Sequence, residues 1–153
     1  MPTAVPVLNV GGDVRVNGQL VGSQFVMVWA QGGAPSTSVT QYSNGGTSTN
    51  ATEGAIEIPM AQGGQVLALV CSTRLAPAPG NYWINFRRNR TDVPGVCRLS
   101  GTSDPSYCQV DYAPGAFTYQ RNDRLALRNV PTESPGAVNL KCTALHQILD
   151  LVR

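Results

Sequence analysis

The feature that most constrains this sequence is how often it is interrupted by turn-forming residues. Sixteen glycines and eleven prolines are spread along the 153-residue chain. From Gln24 onward they separate runs of about four to nine residues that are rich in Val, Leu, Ile and aromatic residues. Runs of this length, bounded by Gly, Pro, Asn and Ser clusters, predict successive β-strands and few helices.

The strand pattern predicts a single all-β domain over residues 23–153. We place strands at 25–29, 39–42, 55–58, 65–73, 82–88, 96–99, 107–112, 123–128 and 138–149. The segment 143–150 also reads as a short helix, but apolar and polar residues alternate from Val138 to Ala144, which favours a strand. About eight to nine antiparallel strands are typical of a jelly-roll sandwich.

Residues 1–12 differ from the rest of the chain. They combine two prolines with small and apolar residues, which favours an extended course with few internal hydrogen bonds. We predict an N-terminal arm that lies on another surface. The residues expected to make that contact are Pro2, Val5, Pro6, Val7, Leu8 and Val10.

Residues 13–22 predict a small β-hairpin, which we call the collar. Polar and apolar residues alternate on both sides of Asn17-Gly18, a strong signal for a two-residue hairpin turn. A single hairpin buries too little surface to be stable alone. We therefore expect the collar to pack against a partner, either the main domain or copies of itself in other chains. The residues expected in that contact are Val14, Val16, Leu20 and Val21.

Charge and hydropathy exclude two classes of partner. The net charge is +2, and the basic residues are scattered except at Arg87, Arg88 and Arg90. Nucleic-acid binding needs a stronger positive field, so we expect no nucleic-acid partner. No apolar run approaches the ~20 residues that span a bilayer, so we expect no membrane partner, and the first residues do not read as a signal peptide. Ten of the eleven basic residues are arginine, which is common at protein interfaces and indicates assembly.

Few residues offer catalytic chemistry. The single histidine, His146, lies among apolar residues, which is typical of a strand residue with one satisfied ring nitrogen. The cysteines at 71, 97, 108 and 142 are separated by 26, 11 and 34 positions, which matches no metal-binding motif. The nine acidic residues fall mostly at turns and give no sign of a paired carboxylate site. We predict that the chain is not an enzyme and has no catalytic, cofactor or metal site.

The cysteines and two aromatic residues leave alternatives open. Each cysteine falls within a predicted strand, where a free thiol packs as a small apolar residue. Cys97 and Cys108 flank a Ser-, Gly- and Pro-containing loop and form the candidate disulfide. Phe117 and Tyr119 follow an Ala-Pro-Gly loop and read as core residues, as an interface or as a platform for a sugar.

Several stretches carry a resemblance to a known class of protein. They are IPMAQGGQVLAL at 58–69, APAPG at 76–80, YWINFRRN at 82–89 and RNDRLAL at 121–127. Their order resembles the small jelly-roll domains of tailed-phage virions, which are similar in strand plan to TNF/C1q-like trimers. Those domains occur as capsid decoration proteins, head fibres and tail-fibre tips. The stretch VGGDVRVNGQLVG at 10–22 is similar to the short collars that precede trimeric fibre heads.

The resemblance implies a structural role on the virion surface. It implies a homotrimeric capsid decoration (cement) protein or head fibre that binds the shell of major capsid protein through the arm and displays the jelly roll outward. The alternative is a tail-fibre tip or receptor-binding module that recognises a host surface glycan. Such virion proteins assemble in the host cytoplasm, where disulfides are not expected.

Overall fold

The computed structural model describes most of the chain beyond the predicted arm. The described residues are 14–16, 19–21, 23–33, 36, 38–45, 50–74, 77–102, 105–133, 135 and 139–149. The arm at 1–12, with Pro2, Val5, Pro6, Val7, Leu8 and Val10, lies outside them.

The described residues form short strands and one turn of 3-10 helix. The strands are β1 Val14–Val16, β2 Gln19–Val21, β3 Gln24–Gly33, β4 Gln41–Ser43, β5 Ile58–Pro59, β6 Gly64–Thr73, β7 Asn81–Arg88, β8 Thr91–Asp92, β9 Cys97–Leu99, β10 Ser106–Asp111, β11 Thr118–Tyr119, β12 Arg124–Thr132 and β13 Leu140–Ile148. The 3-10 turn spans Glu53–Ala55.

Strands β1 and β2 pair only with each other. They form an antiparallel two-stranded sheet in which Val14 lies opposite Val21 and Val16 opposite Gln19. This is the hairpin that the sequence predicts at 13–22. The side-chain packing of the collar residues Val14, Val16, Leu20 and Val21 lies outside what the structure describes.

The other strands form two antiparallel sheets. Sheet I has the order β10-β6-β13-β3, and β11 adds to β6. Sheet II has the order β4-β12-β7-β8, with β5 added to β12 and β9 to β7. The two sheets enclose one hydrophobic core, and the all-β, sandwich-like fold class is confirmed.

Side chains that point to the inner face of each strand build that core. In β7, Tyr82, Ile84 and Phe86 are buried while Trp83 points outward and is 42% exposed. The Phe86 ring meets the edge of Trp29 from sheet I, with centroids 5.0 Å apart. Because successive strand residues point to opposite faces, each strand has one face in the core and one on the surface.

The strand predicted at 55–58 is wrong. Glu53–Ala55 forms the 3-10 turn, and only Ile58–Pro59 pairs with β12. Pro59 lacks the N–H that a longer ladder would require. The strand at 143–148 is confirmed, so the helical alternative there is wrong.

Two aromatic residues whose position the sequence left open lie in the core and not on the surface. Phe117 and Tyr119 are both buried, so an exposed interface or sugar platform at these positions is wrong. The backbone of the segment folds back on sheet I: the Val66 N–H donates to the Phe117 carbonyl at 3.0 Å, and Tyr119 pairs with Gly64. This pairing turns the Phe117 ring toward Phe86, with centroids 5.3 Å apart.

Two substitutions in β7 test the division between core and surface. We expect Phe86→Ala to lower the free energy of unfolding by about 3–5 kcal/mol, because it removes a buried ring and leaves a cavity. We expect Trp83→Ala in the same strand to cost about 1 kcal/mol, mainly through its lost contact with Arg98. Urea unfolding followed by circular dichroism measures both. Equal losses would contradict the assignment of the two faces.

Candidate functional site

His146, the single histidine and a candidate general base, lies in the core. It is fully buried in β13. The Trp29 Nε1–H donates to its Nε2 at 3.0 Å, and its Nδ1 lies 2.9 Å from the Tyr119 hydroxyl. Since Nε2 accepts from Trp29, Nδ1 carries the proton and donates to the Tyr119 oxygen. Both ring nitrogens are therefore satisfied, one more than the sequence predicts.

Burial also determines the charge of the His146 and Tyr119 side chains. It lowers the pKa of His146 to about 4 and raises the pKa of Tyr119 to about 12. Both groups are therefore neutral near pH 7, because removal from water disfavours a charged form. Phe25 stacks on the His146 ring with centroids 5.1 Å apart. The contacts of His146 with Trp29, Tyr119 and Phe25 stabilise the inner side of sheet I.

Three of the acidic residues, Glu53, Glu57 and Asp92, are held by arginines at one end of sheet II. Glu57 accepts from Arg90 at 3.0 Å and from Arg124 at 2.9 Å. The hydrogen bond from Arg90 is the main reason that the pKa of Glu57 is lowered. A glycosidase acid needs a carboxyl with a raised pKa, which is the opposite shift.

A second ion-pair group continues along the same end of sheet II. Glu53 lies 2.9 Å from Arg87, Asp92 lies 2.6 Å from Arg128, and Arg87 also contacts Asp92. Among the described residues, four arginines are thus paired with carboxylates of the same chain, so the abundance of arginine is partly explained without assembly. Arg87 and Arg90 from the basic cluster are neutralised by these carboxylates.

The outer face of sheet I has the opposite character. Val26 is 66% exposed and Tyr107 is 71% exposed, while Val28 and Val70 are also exposed. Two cross-strand rows run through this surface: Val26–Leu145–Ala68 and Val28–Thr143–Val70. We call this surface the apolar face. It comprises Val26, Val28, Ala68, Val70, Tyr107 and Leu145.

The sequence signal for the apolar face is an apolar run instead of an alternating one. Phe25–Trp29 is uninterrupted by polar residues, and β6 carries Val66–Cys71 in the same manner. A strand that is apolar on both sides is typical of burial on both sides. These two apolar runs therefore favour burial of a second surface, a prediction that the strand assignment from the sequence does not include.

The outer face of sheet II is polar and carries one exposed tryptophan. The Arg98 guanidinium lies 5.4 Å from the Trp83 ring centroid, and it donates to the Asn81 side chain at 3.2 Å. Arg87 lies over the Tyr42 ring at 5.9 Å. This face joins aromatic and hydrogen-bonding groups, whereas the apolar face offers mainly hydrocarbon.

The cysteines pair in two disulfides. The candidate pair Cys97 and Cys108 is bonded, and so are Cys71 and Cys142. The interpretation of free thiols packed in the core is therefore wrong. The sequence did not indicate the Cys71–Cys142 bond, because strand register, and not proximity along the chain, brings these two residues opposite each other.

Three of the sulfurs form a compact donor set. The Sγ atoms of Cys71, Cys97 and Cys108 lie within 4.8 Å of one another. Metal binding requires thiolates, and a disulfide sulfur is not one. In the oxidised chain these sulfurs are therefore committed to covalent bonds.

A surface cleft of about 460 Å³ lies at the end of sheet I. It is lined by Gly63, Gly64, Thr118, Tyr119, Gln120, Arg121 and Leu149. Arg121 is the charged member of this lining. Among the described residues that line the cleft, none is a carboxylate that could act beside Arg121 as an acid or a base.

No protein-family model matches this chain, and no curated protein matches it either. The resemblance to phage jelly-roll domains therefore stays a prediction. Among the described residues, no helix is long and apolar enough to span a membrane.

The single histidine allows a clear test by pH. In the unfolded chain His146 protonates near its ordinary pKa of 6.5, but in the folded chain only near 4. The unfolded state therefore binds more protons between these values, and stability falls as pH decreases through this range. We expect a loss of about 3 kcal/mol in the free energy of unfolding.

His146→Gln is the control for that measurement. It removes the titrating group, and we expect it to cost about 1 kcal/mol at pH 7 through a changed hydrogen bond. The pKa of Glu57 is lowered, so its contribution is lost only below about 4.5. If His146→Gln keeps the same slope between pH 6.5 and 4.5, the buried neutral histidine is the wrong explanation.

Proposed function

We propose that this chain is a structural protein on the surface of a tailed-phage virion. It acts without catalysis, as a homotrimeric capsid decoration protein or head fibre. The arm at 1–12 binds the outer shell of major capsid protein, and the sandwich is displayed outward. The sequence resemblance supports the virion class, and the sandwich-like fold agrees with the strand plan that the resemblance implies.

The observation that carries the assembly part of the proposal is the apolar face. Val26, Val70 and Tyr107 are exposed on one continuous sheet surface. Burying such a surface contributes about 25 cal/mol per Å² of apolar area. Exposed apolar patches of this kind mark contacts with other proteins.

The charges beside the apolar face favour a second copy of the chain as the occupant. Lys141 aligns with Ser72 and Tyr107 at one end, while Asp111 aligns with Ala68 at the other. Both charged side chains are exposed. Because the described charges at the two ends of this surface have opposite signs, the positive end of one copy can meet the negative end of the next, and head-to-tail contacts of this kind close into rings when the rotation permits.

The disulfides agree with a protein that works outside a reducing compartment. Structural disulfides persist in oxidising surroundings and are rare in the cytosol. In the proposed pathway the subunits assemble in the host cytoplasm as thiols. The Cys71–Cys142 and Cys97–Cys108 bonds then form when particles are released.

A pair of valine substitutions tests the assembly. We expect the purified protein to be a trimer of about 49 kDa, three times 16.2 kDa, by multi-angle light scattering. Val70→Glu places a charge in the centre of the apolar face, so we expect it to dissociate the trimer. Val96→Glu is the matched control, because Val96 is 48% exposed outside that face. A wild-type monomer at micromolar concentration would contradict the trimer, and a trimeric Val70→Glu would move the interface elsewhere.

Deletion of residues 1–12 tests attachment through the arm. We expect the sandwich to keep its circular dichroism spectrum, since it has its own core and two disulfides. We expect binding to capsid shells that lack the protein to be lost, because the pre-extended apolar arm would provide the contact and three copies would add avidity. Undiminished sedimentation with the shells would assign attachment to the sandwich instead.

The alternative function is recognition of a host glycan, and Trp83 is the observation that favours it. An exposed indole beside Arg98 and Asn81 offers a ring face and hydrogen-bonding groups, as sugar sites do. A glycan array probed with the wild type, Trp83→Ala and Tyr107→Ala distinguishes the two functions. Binding lost only in Trp83→Ala supports the glycan site, and no binding by the wild type supports the structural role.

A further inference from the structure

Cys71 has an unusual position among the four cysteines. It lies in β6, between β13 and β10, and its direct partner in each neighbouring strand is a cysteine: Cys142 on one side and Cys108 on the other. It is bonded to Cys142. Cys108 is bonded instead to Cys97, which β9 contributes from sheet II. Cys71 thus has two cross-strand cysteine partners and uses one.

The sulfur positions bring the two disulfides into contact. The Sγ atom of Cys71 lies within 4.8 Å of both sulfurs of the Cys97–Cys108 bond. Cys142 is farther along the sheet, because it lies two strands away from Cys108, and neighbouring strands are about 4.8 Å apart. Cys71 is therefore the member of its pair that can reach the other bond.

The two disulfides differ in their access to solvent. Cys71 and Cys142 are fully buried, and Cys97 is buried as well. Cys108 is partly exposed and lies on β10, the edge strand of sheet I. Cys108 is therefore the cysteine that a reductant in solution reaches most easily in the folded protein.

We propose that the four cysteines form a thiol–disulfide relay, in which Cys108 exchanges with a dithiol in solution and Cys71 passes the disulfide between the two pairs. This inference does not depend on the proposed virion function. It assigns an exchange reaction to a set of side chains at the point where sheet I meets β9.

The relay begins with reduction of the accessible bond. A thiolate of a small dithiol attacks Cys108 Sγ, the Cys97–Cys108 bond breaks, and Cys97 leaves as a thiolate. The second thiol of the reagent then attacks its own sulfur in the mixed disulfide and releases Cys108. The reagent is oxidised to a cyclic disulfide, and the protein gains two electrons and two protons.

The second step involves no external reagent. The Cys108 thiolate attacks Cys71 Sγ, a Cys71–Cys108 bond forms, and the Cys71–Cys142 bond breaks. Cys142 leaves as a thiolate and takes up the proton that Cys108 released. No net oxidation or reduction occurs in this step, and the new bond joins residues that are already opposite each other.

Two single substitutions test the transfer step. Each removes the Cys71–Cys142 bond, but they leave different thiols behind. Cys142→Ser leaves the Cys71 thiol beside the Cys97–Cys108 bond, while Cys71→Ser leaves the Cys142 thiol two strands away from Cys108. Each folded protein is held without reductant in mildly alkaline buffer and quenched with acid. Free thiols are then blocked, and the linked peptides are mapped by mass spectrometry.

We expect Cys142→Ser to contain Cys71 joined to Cys108, with Cys97 blocked, beside the original Cys97–Cys108 link. The two species should be within about tenfold of each other, because exchange replaces one protein disulfide by another. We expect Cys71→Ser to contain only the Cys97–Cys108 link. Absence of a Cys71 link in the first variant would overturn the relay, and so would equal exchange in the second.

Partial reduction of the wild-type protein tests the relay without depending on whether a variant folds. The oxidised protein is treated with one equivalent of dithiothreitol under native conditions, quenched and mapped. We expect a Cys71–Cys108 link to appear in molecules that have taken up two electrons, with Cys97 and Cys142 both recovered as blocked thiols. Reduction of Cys97–Cys108 alone, with Cys71–Cys142 intact and no Cys71–Cys108 link, would overturn the proposal.

Discussion

The register between β6 and β13 is the constraint on which the rest of the sandwich depends. It places Cys71 opposite Cys142 and Leu69 opposite Ala144, all facing the core. A slip of one residue would turn every side chain of one strand to the other face. The Cys71–Cys142 disulfide prevents that slip covalently. Since β10, β11 and β3 are all paired to these two strands, the whole of sheet I takes its alignment from this pair.

The two outer surfaces differ because the strands that form them differ in composition. Sheet I exposes valines at Val26, Val28 and Val70, whereas sheet II carries Arg87 and Arg128 on neighbouring strands. The arginines are held by carboxylates within the chain, so they are already partnered. The exposed valines of sheet I have no such partner among the described residues. The apolar face is therefore where a second protein surface gains most from contact.

Much of the fold could be predicted from the sequence, because alternation and turn residues are local signals. The collar hairpin followed from Asn17-Gly18, and β6, β7 and β13 followed from their patterns. Strands β8 and β11 have two residues each, too few to produce a period. The Cys71–Cys142 pair and the burial of Tyr119 depend on which strands become neighbours, and this is a property of the whole topology. The arm and its contacts stay predictions.

The contacts on the inner side of sheet I also fix the shape of its outer side. Along β13 the inward residues include Cys142, covalently bonded to β6, and His146, hydrogen-bonded to Trp29 and Tyr119. Between them, on the outward side of the same strand, lies Leu145 of the apolar face. Strands held at two points on one side present the other side in a fixed shape. Association through a preorganised surface loses less conformational entropy, so more of the burial energy appears as affinity.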